Sequence, residues 1–248
     1  NGILVLGSTG EALNLSENEK KKIFEYISSK NLPVPLMAGV GGINLNDTLS
    51  NLSFLETLSY DCYLMVTPLY AKPGPEGQFQ WFKKLMDAVS KPVMLYNIPG
   101  RTGVPLAFQA VEKLLNHPNF WSIKEASGSP EEFKKYVDTI SPKAVFSGDD
   151  GMLPTYAKIG ARGLVSVASN AWPQQTNSYV EKCLKSCIKQ ITNFKYECES
   201  CIYCQASVSL LSKNAKNKSI EKVKKFTEQA INIFEKNLQS FDKELKEF

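Results

Sequence analysis

The feature that most constrains this chain is an alternation repeated along most of its length: a short apolar run that closes on polar residues, then an amphipathic stretch. Residues 3–6, 34–40, 62–66, 92–97, 120–124, 144–147 and 163–168 have the length and apolar density of strands buried on both faces. Helical patterning follows each, from near Ser16, then over about 46–58, 76–89 and 105–115, from near Ser129, and over about 151–159 and 173–189. Ser16 with Glu19 three residues on reads as a capping box, and Pro105 suits a first helical turn. Seven strand–helix units recur at roughly 25–30 residues, about the length of a βα unit. Alternation of this kind predicts a parallel sheet.

A parallel sheet of this size is either open and doubly wound or closed into a barrel. No G-x-G-x-x-G follows the first strand, and Gly39-Val40-Gly41-Gly42 after the second lacks the third glycine's spacing. Polar residues close nearly every apolar run: Ser8 and Thr9, Thr67 and Tyr70, Tyr96 and Asn97, Lys124 and Glu125, Asp149 and Asp150, Ser169 and Asn170. In a barrel all these ends converge on one mouth, where a site belongs; in an open sheet only those at the switch point meet. The expected fold is therefore a (β/α)8 barrel represented by seven of its eight units over residues 1–182, lacking the first strand–helix unit. A divergent, helical C-terminal region follows over 183–248. The start at Asn1, almost directly in a strand, carries the expectation that the front of the barrel, with any leader, lies outside this chain.

Charge and composition exclude several classes. Residues 1–182 hold 17 basic and 17 acidic side chains, so the formal net charge of +4 lies wholly in the last quarter. No basic stripe with interleaved aromatics points to nucleic acid, and no run is long enough to span a membrane. Six cysteines in 248 residues, five of them between Cys183 and Cys204, are too few and too clustered for a secreted disulfide scaffold, so a reducing cytosolic setting is expected. The single histidine, His117, sits in a loop after a helix, on the far rim from the mouth, which removes His-based triads and His-ligated zinc. Asp149-Asp150 reads as helix capping rather than a metal site. Cys198-x-x-Cys201-x-x-Cys204 resembles part of an iron–sulfur spacing but lacks the fourth cysteine followed by proline. Beyond about Lys185 the pattern degrades, recovering in a helical stripe from Ile220 to Leu238.

The strand-end residues also form a chemical set. A lysine inside an apolar strand is costly to keep charged, so its pKa falls and its free amine becomes a Schiff-base nucleophile. Alone, Lys124 equally fits a strand-end lysine that snorkels to water. Tyr96, one strand earlier, could pass protons to and from an imine or carbinolamine. Ser8 and Thr9 lie in a glycine-flanked turn suited to a carboxylate, and Arg101 offers a bidentate fork for a second carboxylate.

The motifs GSTGEA at 7–12, VTPLYAKP at 66–73, LYNIPGRTG at 95–103, IKEASG at 123–128, FSGDDG at 146–151 and GLVSVASN at 163–170 occur in the order and spacing of one enzyme family. On them the chain resembles the dihydrodipicolinate synthase and N-acetylneuraminate lyase family over residues 1–182. The resemblance implies a (β/α)8 barrel, usually a homotetramer built as a dimer of dimers, that joins pyruvate to an aldehyde through a lysine Schiff base without metal or organic cofactor. It makes Lys124 the Schiff-base lysine, Tyr96 the proton-relay tyrosine, and Tyr70 the tyrosine that completes the relay across a subunit interface. Ser8 stands where most synthases have threonine, Thr9 holds the pyruvate carboxylate, and Gly148 and Val165 match backbone positions near bound pyruvate. Arg101 matches the arginine that takes the carboxylate of aspartate semialdehyde. That arginine favours a synthase of lysine and diaminopimelate biosynthesis over a lyase acting on a sugar acid, whereas Ser8 is the lyase-like choice. An Asn-Pro-x-Pro-Val-Lys motif of the family's C-terminal part is absent. Where lysine-inhibited bacterial members often carry two histidines and a tyrosine, this chain has Glu17, Lys20 and Leu69, so lysine is expected to inhibit weakly or not at all.

Overall fold

The computed structural model describes residues 1–184. Six strands, β1 (Ile3–Val5), β2 (Leu36–Val40), β3 (Cys62–Val66), β4 (Val93–Asn97), β5 (Phe120–Glu125) and β6 (Ala144–Ser147), pair in parallel and in strict chain order. Between and after them run α1 (Glu17–Ser28), α2 (Leu45–Leu55), α3 (Pro75–Asp87), α4 (Pro99–Thr102), α5 (Phe108–Leu114), α6 (Pro130–Ile140), α7 (Leu153–Ile159) and α8 (Pro173–Leu184). Among the described residues the strand order never reverses, so the switch point that defines a doubly wound sheet does not occur there.

The two faces of the sheet are unlike. One carries the large core, in which Phe24 of α1, Leu52 and Leu55 of α2, Phe82 and Met86 of α3 and Tyr136 of α6 meet the strand residues Ala38, Tyr63, Leu95 and Ile123. The other face carries a small cluster of Leu64, Met94 and Tyr96, edged by Leu4, Met37, Val66, Phe146 and Val165, and among the described residues no helix packs on it. Helices on one face only, over an all-parallel sheet, are the arrangement of a barrel wall, with the small cluster filling its interior. Where β2 leaves its neighbour β1 the two backbones come together. A Cβ on Gly39 would stand 2.3 Å from the Leu6 carbonyl oxygen, so only glycine fits there.

The helices form where sequence caps and stripes place them. Ser16 and Glu19 make the reciprocal capping box that opens α1. Asn44 caps α2 by accepting from the N–H groups of Asn46 and Asp47. In α3 the buried positions Gln78, Trp81, Phe82, Leu85 and Met86 follow a strict helical stripe, each large apolar member contributing roughly 1.5–3 kcal/mol on leaving water.

Three expectations need correction. The seventh strand shrinks to one parallel bridge between Ser147 and Leu164, with the Val165 N–H on the Ser147 carbonyl at 2.8 Å. Asp150 is the cause: its carboxylate takes the Ser166 hydroxyl and the Val167 N–H (2.9 Å), drawing the backbone off strand geometry. Asp149 and Asp150 therefore staple loops rather than cap α7, whose N-cap is Met152 without a side-chain bond. Finally, the helix expected from about 105 begins at Phe108, because Ala107 is extended (φ −69°, ψ 127°) and serves as its N-cap, with the Leu106 and Ala107 N–H groups bonded to Asn97 and Gln78 at 2.8 Å each. The cysteine-rich stretch and the stripe from Ile220 lie outside the described residues, as does most of the C-terminal region.

Candidate active site at the strand ends

The parallel register brings Val66, Tyr96, Lys124 and Phe146 into one row across β3 to β6. Alternation along each strand points this row into the barrel interior. Lys124 and Tyr96 are almost fully buried, at 7% and 5% exposure, and the Lys124 Nζ stands 4.1 Å from the centre of the Tyr96 ring. An ammonium over an aromatic face gains some cation–π attraction, but burial dominates. It pushes the Lys124 amine down from 10.5 to about 8, with Asp150 opposing the shift and the Arg101 guanidinium assisting it. The Tyr96 phenol moves the other way, up to about 12, because burial disfavours the phenolate more than Arg101 and the Ser8 hydroxyl favour it. The pair near neutral pH is thus a partly free amine beside a fully protonated phenol.

Three of the other expected residues surround this pair. Arg101 stands in α4, a single turn between the expected strand and helix, and its charge reaches both Tyr96 and Lys124. Ser8 acts on the Tyr96 phenol from the 3₁₀ turn Ser8–Gly10. Gly148 lies directly against the lysine: a Cβ there would stand 2.7 Å from the Lys124 Cε and 3.1 Å from its Cγ. Thr9 shares the Ser8 turn and is exposed. Val165 joins the interior cluster beside Tyr96, its backbone tied to Ser147. Tyr70 is the outlier. It is 86% exposed and so outside the buried pair.

Backbone strain marks the same loops. Leu6, Glu11, Tyr70 and Lys72 are non-glycine residues with φ of 55, 52, 65 and 46°, all after β1 or β3. Each such conformation costs on the order of 1–3 kcal/mol, and strain of this kind gathers at functional loops.

Sequence reasoning placed Asn97 and Glu125 at the mouth as well, and there the structure differs. Both are fully buried and point to the helix-covered face, where the Asn97 Nδ2 donates to Glu125. Period-two alternation from Tyr96 and Lys124 would have found this, since the next residue on a strand faces the other way. The sequence also places Asp150 at the mouth, though not its role, and gives no pointer to Lys72. Asp150 acts as the counter-charge to Lys124. Lys72 lays its Cε where a Cβ on Gly103, just beyond Arg101, would be 2.7 Å away. His117 lies, as expected, after α5 and away from this cluster, its Nε2 3.1 Å from an Asp87 carboxylate oxygen.

Residues 1–239 match the model of the dihydrodipicolinate synthetase family. The 4-hydroxy-tetrahydrodipicolinate synthase of Francisella tularensis subsp. novicida (strain U112) is 48% identical over 183 residues, 74% of this chain and 62% of the relative. That of Wolbachia pipientis wMel is 43% identical over 200 residues, 81% of this chain and 68% of the relative. The crystal structure of dihydrodipicolinate synthase from Aquifex aeolicus superposes with a TM-score of 0.74 at 25% identity, over 90% of this chain and 74% of that one. The chain thus spans a little under two thirds of the Francisella relative's length.

Proposed function

The chain belongs to the dihydrodipicolinate synthetase family, and from that membership we propose that it is a 4-hydroxy-tetrahydrodipicolinate synthase. It would condense pyruvate with aspartate semialdehyde through an imine on Lys124, in lysine and diaminopimelate biosynthesis. The observation that carries the reading is Lys124 itself, a buried amine lowered to about 8 and set 4.1 Å from the Tyr96 ring centre. The free amine attacks the pyruvate ketone carbon, and the Tyr96 phenol supplies the proton that lets the carbinolamine hydroxyl leave as water. Loss of a methyl proton from the imine gives the enamine, which attacks the aldehyde carbon. The amine of the second substrate then displaces Lys124, closing the ring and freeing the enzyme.

Ser8 relays protons to Tyr96, Thr9 and the backbone at Gly148 and Val165 receive pyruvate, and Arg101 takes the carboxylate of aspartate semialdehyde. The protonated imine is itself the electron sink, so the route calls on no metal or organic cofactor. Tyr70, 86% exposed, suits a residue lent to the site of a second copy of this chain, in a homotetramer arranged as a dimer of dimers. The cytosol suits these metabolites, and Cys62 and Cys183 are free thiols. No described helix is long and apolar enough to cross a membrane. Ser8 gives one observation for a second reading, lyase chemistry on a sugar acid.

Borohydride reduction with labelled pyruvate, followed by peptide mapping, tests the reading. Label is expected on Lys124, and aspartate semialdehyde is expected to consume pyruvate where N-acetylmannosamine does not. Folded protein without label on Lys124 would refute the imine, and consumption with the sugar alone would favour the lyase.

A further inference from the structure

Behind the Tyr96–Lys124 pair, on the opposite face of the same two strands, lies a second pair that the chemistry just described does not use. Asn97 and Glu125 are register partners as Tyr96 and Lys124 are, one residue further along β4 and β5. Both are 0% exposed. The Asn97 Nδ2 donates to the Glu125 Oε2 at 2.5 Å, and the Glu125 Oε1 accepts from the Ser127 N–H at 2.5 Å. The Asn97 Oδ1 accepts from the Leu106 N–H at 2.8 Å. The two backbones add the Gly148 N–H on the Glu125 carbonyl at 2.7 Å and the Ala126 N–H on the Asn97 carbonyl at 2.9 Å.

A buried carboxylate is an expensive way to fill space, because its desolvation is only partly returned by hydrogen bonds. Burial raises the Glu125 pKa, and the charged side chain that acts on it is another carboxylate, Glu132 of α6. The phenols facing it from the helices are Tyr136 of α6 and Tyr156 of α7. Packing alone would be better served by an apolar residue. What Glu125 supplies instead is geometry. Its carboxylate locks β4 to β5 one residue beyond the reacting pair, on the residue whose main-chain carbonyl holds the glycine that abuts Lys124. Through Asn97 it also fixes Leu106, which the Tyr136 hydroxyl grips by its carbonyl, so the loop that follows α4 and its Arg101 is anchored at its far end.

We propose that Asn97 and Glu125 are a positioning pair whose buried hydrogen bond sets the register and separation of Tyr96 and Lys124 on the reacting face. The inference rests on the reading of Lys124 as the imine-forming amine, and the test separates the two. In the full chain, the titration of Lys124 is followed by its pH-dependent labelling with fluorodinitrobenzene and peptide mapping, which needs no substrate. The rate of pyruvate trapping by borohydride is followed in parallel. The groups that face Lys124 during this titration are Tyr96 from β4, Arg101 from α4 and Asp150 from the loop after β6.

Glu125→Gln sets an amide against two donors and loses one of the bonds. Asn97→Asp sets two carboxylates together. The double variant N97D/E125Q exchanges donor and acceptor and can remake all three side-chain bonds. In each single variant trapping should slow roughly tenfold or more, as expected for a displacement well under an ångström to about one. The Lys124 titration should rise from its native position towards an ordinary lysine as water enters, and the double variant should restore both. Single variants that melt earlier but keep the native Lys124 titration and trapping rate while folded would reduce the pair to a stability role and overturn the proposal. A downward shift in E125Q would also overturn it, by making the effect electrostatic. If a single variant does not fold, the double variant decides: a folded swap with an ordinary lysine titration overturns the proposal, and a native titration supports it. A native chain that never traps pyruvate would refute the imine reading, while the labelling titration still judges the positioning pair.

Discussion

Gly148→Ala probes the tightest contact of the site. The added methyl carbon would lie 2.7 Å from the Lys124 Cε, 2.8 Å from the Ala126 Cβ and 3.1 Å from the Lys124 Cγ. Carbon atoms settle at about 3.5–4.0 Å, so the shortfall is on the order of 1 Å against two different residues. The Cε could swing aside, but the Ala126 Cβ is fixed to its backbone and the Lys124 Cγ is held close to its own. The end of β5 must therefore part from the residue after β6, against the Gly148 N–H bond to the Glu125 carbonyl. Overpacking of this kind costs typically 1–3 kcal/mol, a fall of roughly 2–4 °C in Tm per kcal/mol for a domain of this size. The displaced amine should cost more: a 1 Å misplacement of a reacting group can slow a reaction about 100-fold. The assay is borohydride trapping of pyruvate at saturating ketoacid, alongside a thermal melt. Native trapping with an unchanged melt would show that the strand ends yield freely, and would refute the argument that Gly148 shapes the lysine's position.

Four further outcomes are expected. Imine formation should rise tenfold per pH unit below the Lys124 pKa of about 8 and level off above it, because only the unprotonated amine attacks; a plateau reached only near an ordinary lysine's pKa would refute the depressed value. The same depression has a stability sign: the unfolded chain holds this proton more tightly, so folding strengthens as pH rises from about 8 towards 10.5, by up to about 3 kcal/mol from this group, checked by urea unfolding against Lys124→Met. Lys124→Met itself should abolish trapping yet melt no lower than the native chain near neutral pH, since it keeps the stem and removes a buried charge. Lysine should inhibit weakly or not at all in a coupled assay, since Glu17, Lys20 and Leu69 stand where lysine-inhibited members often carry two histidines and a tyrosine, and Lys20 is paired with Glu17 at 2.6 Å; strong inhibition at physiological lysine would refute this.

How much of this was legible in the sequence depended on the kind of signal. The strands β3 and β6 lie where their apolar runs place them, and α1 and α6 open at their serine caps, because both signals are local. Lys124 stood out because a charge inside an apolar strand has few explanations. Elements governed by a distant partner were not legible. The run after Gly163 reads as a strand, yet a carboxylate sixteen residues earlier, on Asp150, takes its hydroxyl and amide groups. Pro105 reads as a helix start, yet the segment tied to Asn97 of β4 and Gln78 of α3 stays extended through Ala107, and α5 opens at Phe108. The turn α4 hides behind Pro99-Gly100, which pattern alone assigns to loop.

The same limit explains why the residues proposed to react are easier to find than those proposed to hold them. A strand end presents its polar residues as one cluster in sequence, but successive side chains belong to opposite faces of the sheet. Tyr96 and Lys124 lie on the face where burial changes an amine's proton affinity, and that chemistry shows in residue type. Asn97 and Glu125 lie on the face where helices exclude water, and their worth is in donor–acceptor matching, which residue type does not show. A strand that must place a free amine to within a fraction of an ångström needs something stiffer than apolar packing behind it, since apolar contacts are non-directional and hydrogen bonds are not. On this argument the cost of burying Glu125 is the cost of holding Lys124 still, and changes that spare every reacting group on the inner face should still slow the reaction when made on the outer one.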